Sequence, residues 1–193
     1  PLKMQTVERE FLTQDELKRL EEKQIGISRL EQVRDIFLFC CLTGLAYVDV
    51  ASLSTENIVE GKRGRQWLRK ARNKTNNMCN IPLLRPALRI LEKYAEYRAA
   101  TGRLLPVPSN QKMNAYLKEL ATLCGVAKNL TTHCARHTFA TTVTLANGAS
   151  LENVSKMLGH SSVRMTQHYA KILNSSIERD MDKIESELIG EDE

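Results

Sequence analysis

The residues with chemistry to offer are crowded into one stretch. All four histidines of the chain, His133, His137, His160 and His168, lie between Thr131 and Tyr169, with Arg136 among them. If the run from His133 is helical, at about 100° per residue, then His133, Arg136, His137 and Ala140 share one face. Thr132 reads as the N-cap of that helix, which sets His133 and Arg136 in its first turns. A helix start carries partial positive charge and unpaired N–H groups, so such a cluster suits a phosphate. His133 and His137 also have the i, i+4 spacing of a metal-binding pair, with Cys134 between them. No further ligand follows nearby and Cys134 falls on another face, so the pattern favours phosphate chemistry with no metal.

Several elements must hold these side chains in place. Gly148 stops the first helix, and Ser150 starts a short amphipathic one with Leu151, Val154 and Leu158 apolar. Gly159 ends that helix, His160 follows at the turn, and Ser161 or Ser162 caps the helix that presents Tyr169. Upstream, Thr13 with Glu16 three residues later is a capping box that opens a helix to about Lys23. Ser28 with Glu31 repeats the pattern and opens a helix ended by Thr43 and Gly44. Its interior from Ile36 to Leu42 is nearly all apolar, which predicts a central place in the core. Asn57–Glu60, Gln66–Arg72 and Met78–Leu83 read as strands, joined by Gly61–Gly64 and by a polar turn at Asn73–Asn77. A helix is expected from Pro86 to about Thr101, with Leu88, Ile90, Leu91, Tyr94 and Tyr97 on or near its buried side. Another is expected from Ser109 or Asn110 to Gly125, with Tyr116, Leu117 and Leu120 in the core. The expected class is α+β, mainly α-helical, with a small three-stranded antiparallel sheet.

At 193 residues and 42% hydrophobic content, the chain fits one globular domain. No apolar run reaches the roughly 18 residues of a membrane span, and no signal peptide is evident. The first residue is Pro1 rather than Met, so a piece of something longer is expected. The five cysteines are odd in number and lack Cys-x-x-Cys spacing, as in reduced thiols of a cytosolic protein. Net charge is +5, but residues 178–193 hold eight acids and two bases, which leaves +11 on the rest. A basic body suits a polyanion. Leu173, Ile177, Met181, Ile184 and Leu188 draw an amphipathic stripe along the acidic tail.

His133-x-x-Arg136-His137, then Leu158-Gly159-His160, then Tyr169 nine residues on, resembles the catalytic domain of the tyrosine recombinases, the phage-type integrases. The likeness runs from about Phe11 to Ile172. It implies the catalytic-domain fold over residues 1–173, followed by a tail helix over 174–193 that docks in cis or on a neighbouring protomer. The family's N-terminal DNA-binding domain is then expected outside this chain. Tyr169 corresponds to the nucleophile, which forms a 3′-phosphotyrosyl bond and frees a 5′-hydroxyl. His133 corresponds to an acid/base helper, Arg136 to a phosphate-binding guanidinium, and His160 to a phosphate-bonding group. Lys74, in the turn before the third strand, corresponds to the family's catalytic lysine, the proton donor to the leaving oxygen. His137 is read as a packing or supporting residue.

One position departs from the family. Thr43, Gly44, Leu45 and Asp49 resemble its first arginine motif, but the arginine position holds Ala46. Alanine cannot bind phosphate, so either activity is impaired or another cation has moved in. On a strand with period 2, Arg72 and Lys70 share the face of Lys74 while Arg69 faces away. Arg72 is therefore the candidate for the missing guanidinium, against the plainer reading of a DNA-backbone contact. Integrases of some conjugative transposons resemble this chain in lacking that arginine.

The implied function is a site-specific DNA recombinase that integrates or excises a mobile element. The alternatives are a DNA-binding relic without catalysis and an enzyme like the type IB topoisomerases. Double-stranded DNA is the expected partner, with a homo-tetramer on DNA and accessory DNA-bending proteins. No cofactor and no membrane are expected, and the place of action is the prokaryotic cytoplasm, at the nucleoid.

Overall fold

The computed structural model describes residues 10–170, 181, 182 and 184–186. The helix at its centre, α2 (Ser28–Thr43), is the one with the apolar run Ile36–Leu42. Leu30, Val33, Ile36, Phe37, Phe39, Cys40 and Cys41 are all sealed from solvent, as a helix whose later turns are apolar on every side requires. Around it pack α1 (Gln14–Glu22), α4 (Arg85–Lys93), α6 (Asn110–Leu123) and α7 (Thr132–Thr138). The capping box of α1 forms as expected: Glu16 N–H donates to Thr13 Oγ1 at 3.2 Å and Thr13 N–H to Glu16 Oε2 at 2.8 Å. The second box does not form. Ile27 holds the N-cap position of α2 without a side-chain bond, and Glu31 accepts instead from Gly26 N–H at 3.2 Å. Gly26 is left-handed at φ +69°, and the turn it makes carries Glu31 past the expected partner.

After Gly44 come the short α3 (Tyr47–Ala51) and the sheet of β1 (Ile58–Glu60), β2 (Gln66–Ala71) and β3 (Met78–Pro82). The strands are antiparallel in the order β1-β2-β3, with Leu68 opposite Ile58 and Ile81, and Lys70 opposite Cys79. Leu68, Cys79 and Ile81 are buried, so Leu68 and Lys70 face the protein and Arg69 faces away.

The helix expected from Pro86 to Thr101 is two helices, α4 and α5 (Ala95–Thr101), broken at Tyr94. The break serves Asp35, a carboxylate buried inside α2. Lys93 Nζ and Tyr94 Oη both donate to Asp35 Oδ2, at 2.6 and 2.9 Å. A buried carboxylate needs such partners, and meeting that need overrides helix continuity. Ser109 caps α6, whose Leu117 and Leu120 are in the core, while Tyr116 is half-buried under Arg29.

The functional stretch begins one residue earlier than Thr132: Thr131 is the N-cap, and its Oγ1 accepts from Cys134 N–H at 3.0 Å. Beyond α7 the backbone widens into a π-helical segment, Phe139–Thr144, then a short tight turn to Gly148 at φ +84°. Its threonines spend their hydroxyls on nearby carbonyls, as when Thr144 Oγ1 reaches Phe139 O at 2.8 Å, five residues back. Thr138 and Thr142 also bond the N–H and C=O of Leu12, tying the segment before α1 onto α7. Two more elements follow, α8 (Leu151–Met157), capped by Ser150, and α9 (Gln167–Ala170), preceded by a turn capped by Ser162. Of the tail stripe, Met181 and Ile184 are exposed, and Leu173, Ile177 and Leu188 lie outside the described residues. No helix among the described residues is long and apolar enough to cross a membrane.

Replacing Thr138 by the isosteric Val removes the acceptor of the Leu12 N–H, whose bond is 2.9 Å long and buried. Leaving that donor unsatisfied costs about 1–3 kcal/mol. Urea denaturation should show the loss as a lower midpoint with an unchanged slope.

Candidate active site

Burying a guanidinium is costly unless its donors are met. Arg136, only 5% exposed, meets that condition by gathering three segments. Its Nη1 donates to Gly44 O at 2.6 Å, at the end of α2. Its Nη2 lies 2.7 Å from Leu158 O and 3.2 Å from His160 Nε2, both at the end of α8. A guanidinium has five N–H donors, and three of them are used in these contacts among the described residues.

The glycines of the two loop motifs are what allow this. Gly44 is left-handed at φ +70°, and a Cβ there would sit 2.5 Å from Phe139 and 2.9 Å from Leu158. Gly159, at φ +63°, lies against the sheet. A Cβ on it would meet Cys79 Sγ at 2.7 Å and Arg72 Cδ at 2.9 Å. The turn at Gly159 closes with His160 N–H on Ser155 O at 3.0 Å, and Asn77 Nδ2 of the β2–β3 turn bonds Gly159 O at 3.1 Å. His160 is thereby delivered beside Arg136, with its Nδ1 2.7 Å from Thr166 Oγ1. Because Arg136 can only donate, the contact makes Nε2 an acceptor and puts the ring proton on Nδ1.

Arg72 reaches the same place from the sheet. It lies one residue beyond β2, on the parity of Leu68 and Lys70, and its side chain is 13% exposed. Its Nε is buried with no hydrogen-bond partner among the described residues and stands 3.9 Å from Asp49 Oδ2. Asp49 is itself buried, and its Oδ1 accepts from Asn73 N–H at 2.9 Å. One carboxylate therefore fixes the turn and faces the cation, on the helix that Ala46 begins. Burial, and next the nearby positive charge of Arg72, pull the Arg136 guanidinium down to about 10. It stays charged at neutral pH. Below about pH 10 the folded chain bears the full cost of burying this charge beside Arg72, and the cost fades only as pH rises from there towards the ordinary guanidinium range. At neutral pH a bound anion is the natural relief.

Tyr169, 2% exposed, completes the group. Its Oη lies 2.6 Å from Nδ1 of His137, itself only 3% exposed. His133 is exposed and stands edge-on to His137, with ring centroids 4.3 Å apart. His168 packs on Tyr169 with ring centroids 3.8 Å apart, tilted by 40°. Lys74 is exposed on the β2–β3 turn. The structure thus brings Arg136, His160, Arg72 and Tyr169 together, with His133 at the rim behind His137 and Lys74 on the bordering turn. His137 is the residue that sequence reasoning passed over. Its i, i+4 relation to His133 was visible, but nothing in one sequence shows that a residue 32 positions away would meet it. Among the described residues no three histidine, cysteine or acidic side chains come together as a metal would need. Cys134 is buried, and its thiol is pushed up to about 11 by that burial.

A family model described as the phage integrase family matches residues 10–175. The chain belongs to that family. A tyrosine recombinase XerD of Rhizobium meliloti strain 1021 is 32% identical over 146 residues, 70% of this chain but 45% of that protein. The chain thus spans under half the length of that curated relative. Among solved structures, a XerA recombinase superposes with a TM-score of 0.67 at 25% identity, over 91% of this chain and 64% of the other. The catalytic domain of bacteriophage HP1 integrase shares the fold, with a TM-score of 0.62 at 20% identity over 91% and 95%.

Two neighbouring buried cations, Arg136 and Arg72, should bind a tetrahedral oxyanion. Sulfate should raise the melting temperature above that in chloride of equal ionic strength. At ten times its dissociation constant the gain is about 1.4 kcal/mol, or roughly 3–5 °C. Arg72→Ala should remove the difference, and equal melting of the parent protein in both salts would count against the site.

Proposed function

We propose that this chain is the catalytic domain of a site-specific DNA recombinase, cutting and rejoining double-stranded DNA through a 3′-phosphotyrosyl intermediate at Tyr169. The observation that carries the reading is the convergence of two guanidinium groups, from Arg136 and Arg72, beside a buried phenol. A phosphodiester seated there would put its non-bridging oxygens on the two cations and its phosphorus in reach of the nucleophile. Tyr169 Oη attacks, the 5′-oxygen leaves, and the energy of the broken bond is kept in the phosphotyrosyl link until a second strand reverses the step. No nucleotide or metal is needed for that exchange.

Arg136 supplies its two remaining donors, and Arg72 does the work of the arginine absent at Ala46. A planar fork can serve from a different backbone position provided its donors reach the same oxygens. His160 borders the same space and adds a third phosphate contact once its Nε2 is turned from acceptor to donor. His133 handles protons at the rim, and Lys74 protonates the departing 5′-oxygen. The basic body, +11 outside the last 16 residues, suits the phosphate backbone. The assembly is a homo-tetramer on DNA, with the acidic segment 174–193 docking in cis or on a neighbour and accessory DNA-bending proteins assisting. Its task is to integrate or excise a mobile element in the prokaryotic cytoplasm.

Covalent trapping tests this. The protein is incubated with nicked suicide duplexes built on a site it selects from a random-sequence library, and the products are run on a denaturing gel. A shifted protein–DNA band that vanishes with Tyr169→Phe is expected. Stable binding with no covalent band would reduce the chain to a DNA-binding relic.

A further inference from the structure

The side chain hydrogen-bonded to the phenol is that of His137. Its Nδ1 stands 2.6 Å from Tyr169 Oη, and both residues are buried, at 3% and 2% exposure. A tyrosine with an ordinary pKa near 10 must lose its proton to become a nucleophile at neutral pH, and in a buried site bulk water is a poor recipient. We infer that His137 is the catalytic base that takes the proton of Tyr169 during strand cleavage and returns it during rejoining. The inference rests on the reading of Tyr169 as the nucleophile.

The step balances without any further reactant. The Oη–H bond breaks and its proton moves to Nδ1. The Oη–P bond forms, the bond from phosphorus to the 5′-oxygen breaks, and that oxygen takes a proton from the Lys74 ammonium. His137 must begin as the neutral tautomer with its proton on Nε2, so that the Nδ1 lone pair faces the phenol. It then becomes an imidazolium. The rings against it are His133 on its own helix and Tyr169 on α9, with Arg136 adjacent in the chain and His168 on the Tyr169 ring. Arg136 opposes the new positive charge, and the phosphate gaining negative charge in the transition state offsets it. His133, edge-on to His137 and exposed, gives the proton a way out to solvent. The division of labour is then an inner base and an outer relay, set one helical turn apart at 133 and 137.

The test compares the parent protein with His137→Gln, His133→Gln and Lys74→Ala in covalent trapping. It uses the selected duplexes with either an ordinary phosphate or a 5′-bridging phosphorothiolate at the cleaved position. Absence of a covalent band from the parent would defeat the recombinase reading itself. Given a parental band, His137→Gln should cleave about 100-fold slower or worse at pH 7 on both substrates. Its rate should climb towards pH 10 as the phenol ionises unaided. Lys74→Ala should instead be restored by the phosphorothiolate, whose thiolate leaves without a proton. His133→Gln should be milder than His137→Gln. Cleavage by His137→Gln within about threefold of the parent, or a deficit that stays the same up to pH 10, would overturn the assignment. A measurement on the parent chain covers the case in which the variant does not fold. The ¹⁵N shifts of the His137 ring should show a bare Nδ1 and a protonated Nε2, and the opposite tautomer would exclude the base.

Discussion

A charged guanidinium buried among carbonyls is the constraint on which the site depends. Arg136 can be charged and inaccessible only because Gly44 O and Leu158 O turn inward to meet it. Those carbonyls come from the ends of two helices far apart in sequence, and each helix ends in a left-handed glycine. At both glycines a Cβ would collide, at Gly44 with Phe139 and Leu158, at Gly159 with Cys79 and Arg72. Close approach and chain reversal are therefore the same requirement. Satisfying Arg136 draws the end of α2, the end of α8 and the edge of the sheet onto one point, and His160 arrives there as a consequence.

The second charge follows from the first. With the α3 arginine position occupied by Ala46, the space facing Asp49 is filled from the sheet instead. The Arg72 side chain lies across Gly159 to reach it. Asp49 offers only a 3.9 Å ion pair and no hydrogen bond to Nε, so Arg72 is held in position without being fully satisfied. Two incompletely partnered cations in a poorly solvated place repel each other, and an anion between them removes that penalty. Burial thus makes an anion favourable there, which is what the proposed reaction would use.

Much of this was legible in the sequence, for identifiable reasons. Local signals held where a partner lay within a few residues: the Thr13–Glu16 box, the stops at Gly44 and Gly148, and the apolar run of α2. Of the residues marked by the resemblance, Arg136, His160 and Tyr169 lie near one another, while His133 stands exposed at the rim behind His137. Strand parity placed Arg72 and Lys70 on one face and Arg69 on the other, although β2 itself stops at Ala71. What escaped reading depends on distant contacts. The break at Tyr94 answers to Asp35 on α2, the π-helical segment is tied through Thr142 to the Leu12 carbonyl, and His137 gains its meaning from Tyr169. The Ser28 box failed because Gly26 took up its glutamate, a competition that spacing alone does not reveal.

If Arg72 supplies, from the sheet, the charge that Ala46 cannot, its loss should be repaired by an arginine on α3. The decisive comparison is covalent cleavage by Arg72→Ala and by the double variant Ala46→Arg, Arg72→Ala, at equal DNA occupancy. The single variant should lose about 100- to 1,000-fold in cleavage rate, the usual consequence of removing one such donor, and the added Ala46→Arg change should restore a large part of it. Cleavage by Arg72→Ala at the parental rate would rule out that role and leave Arg136 as the site's lone guanidinium.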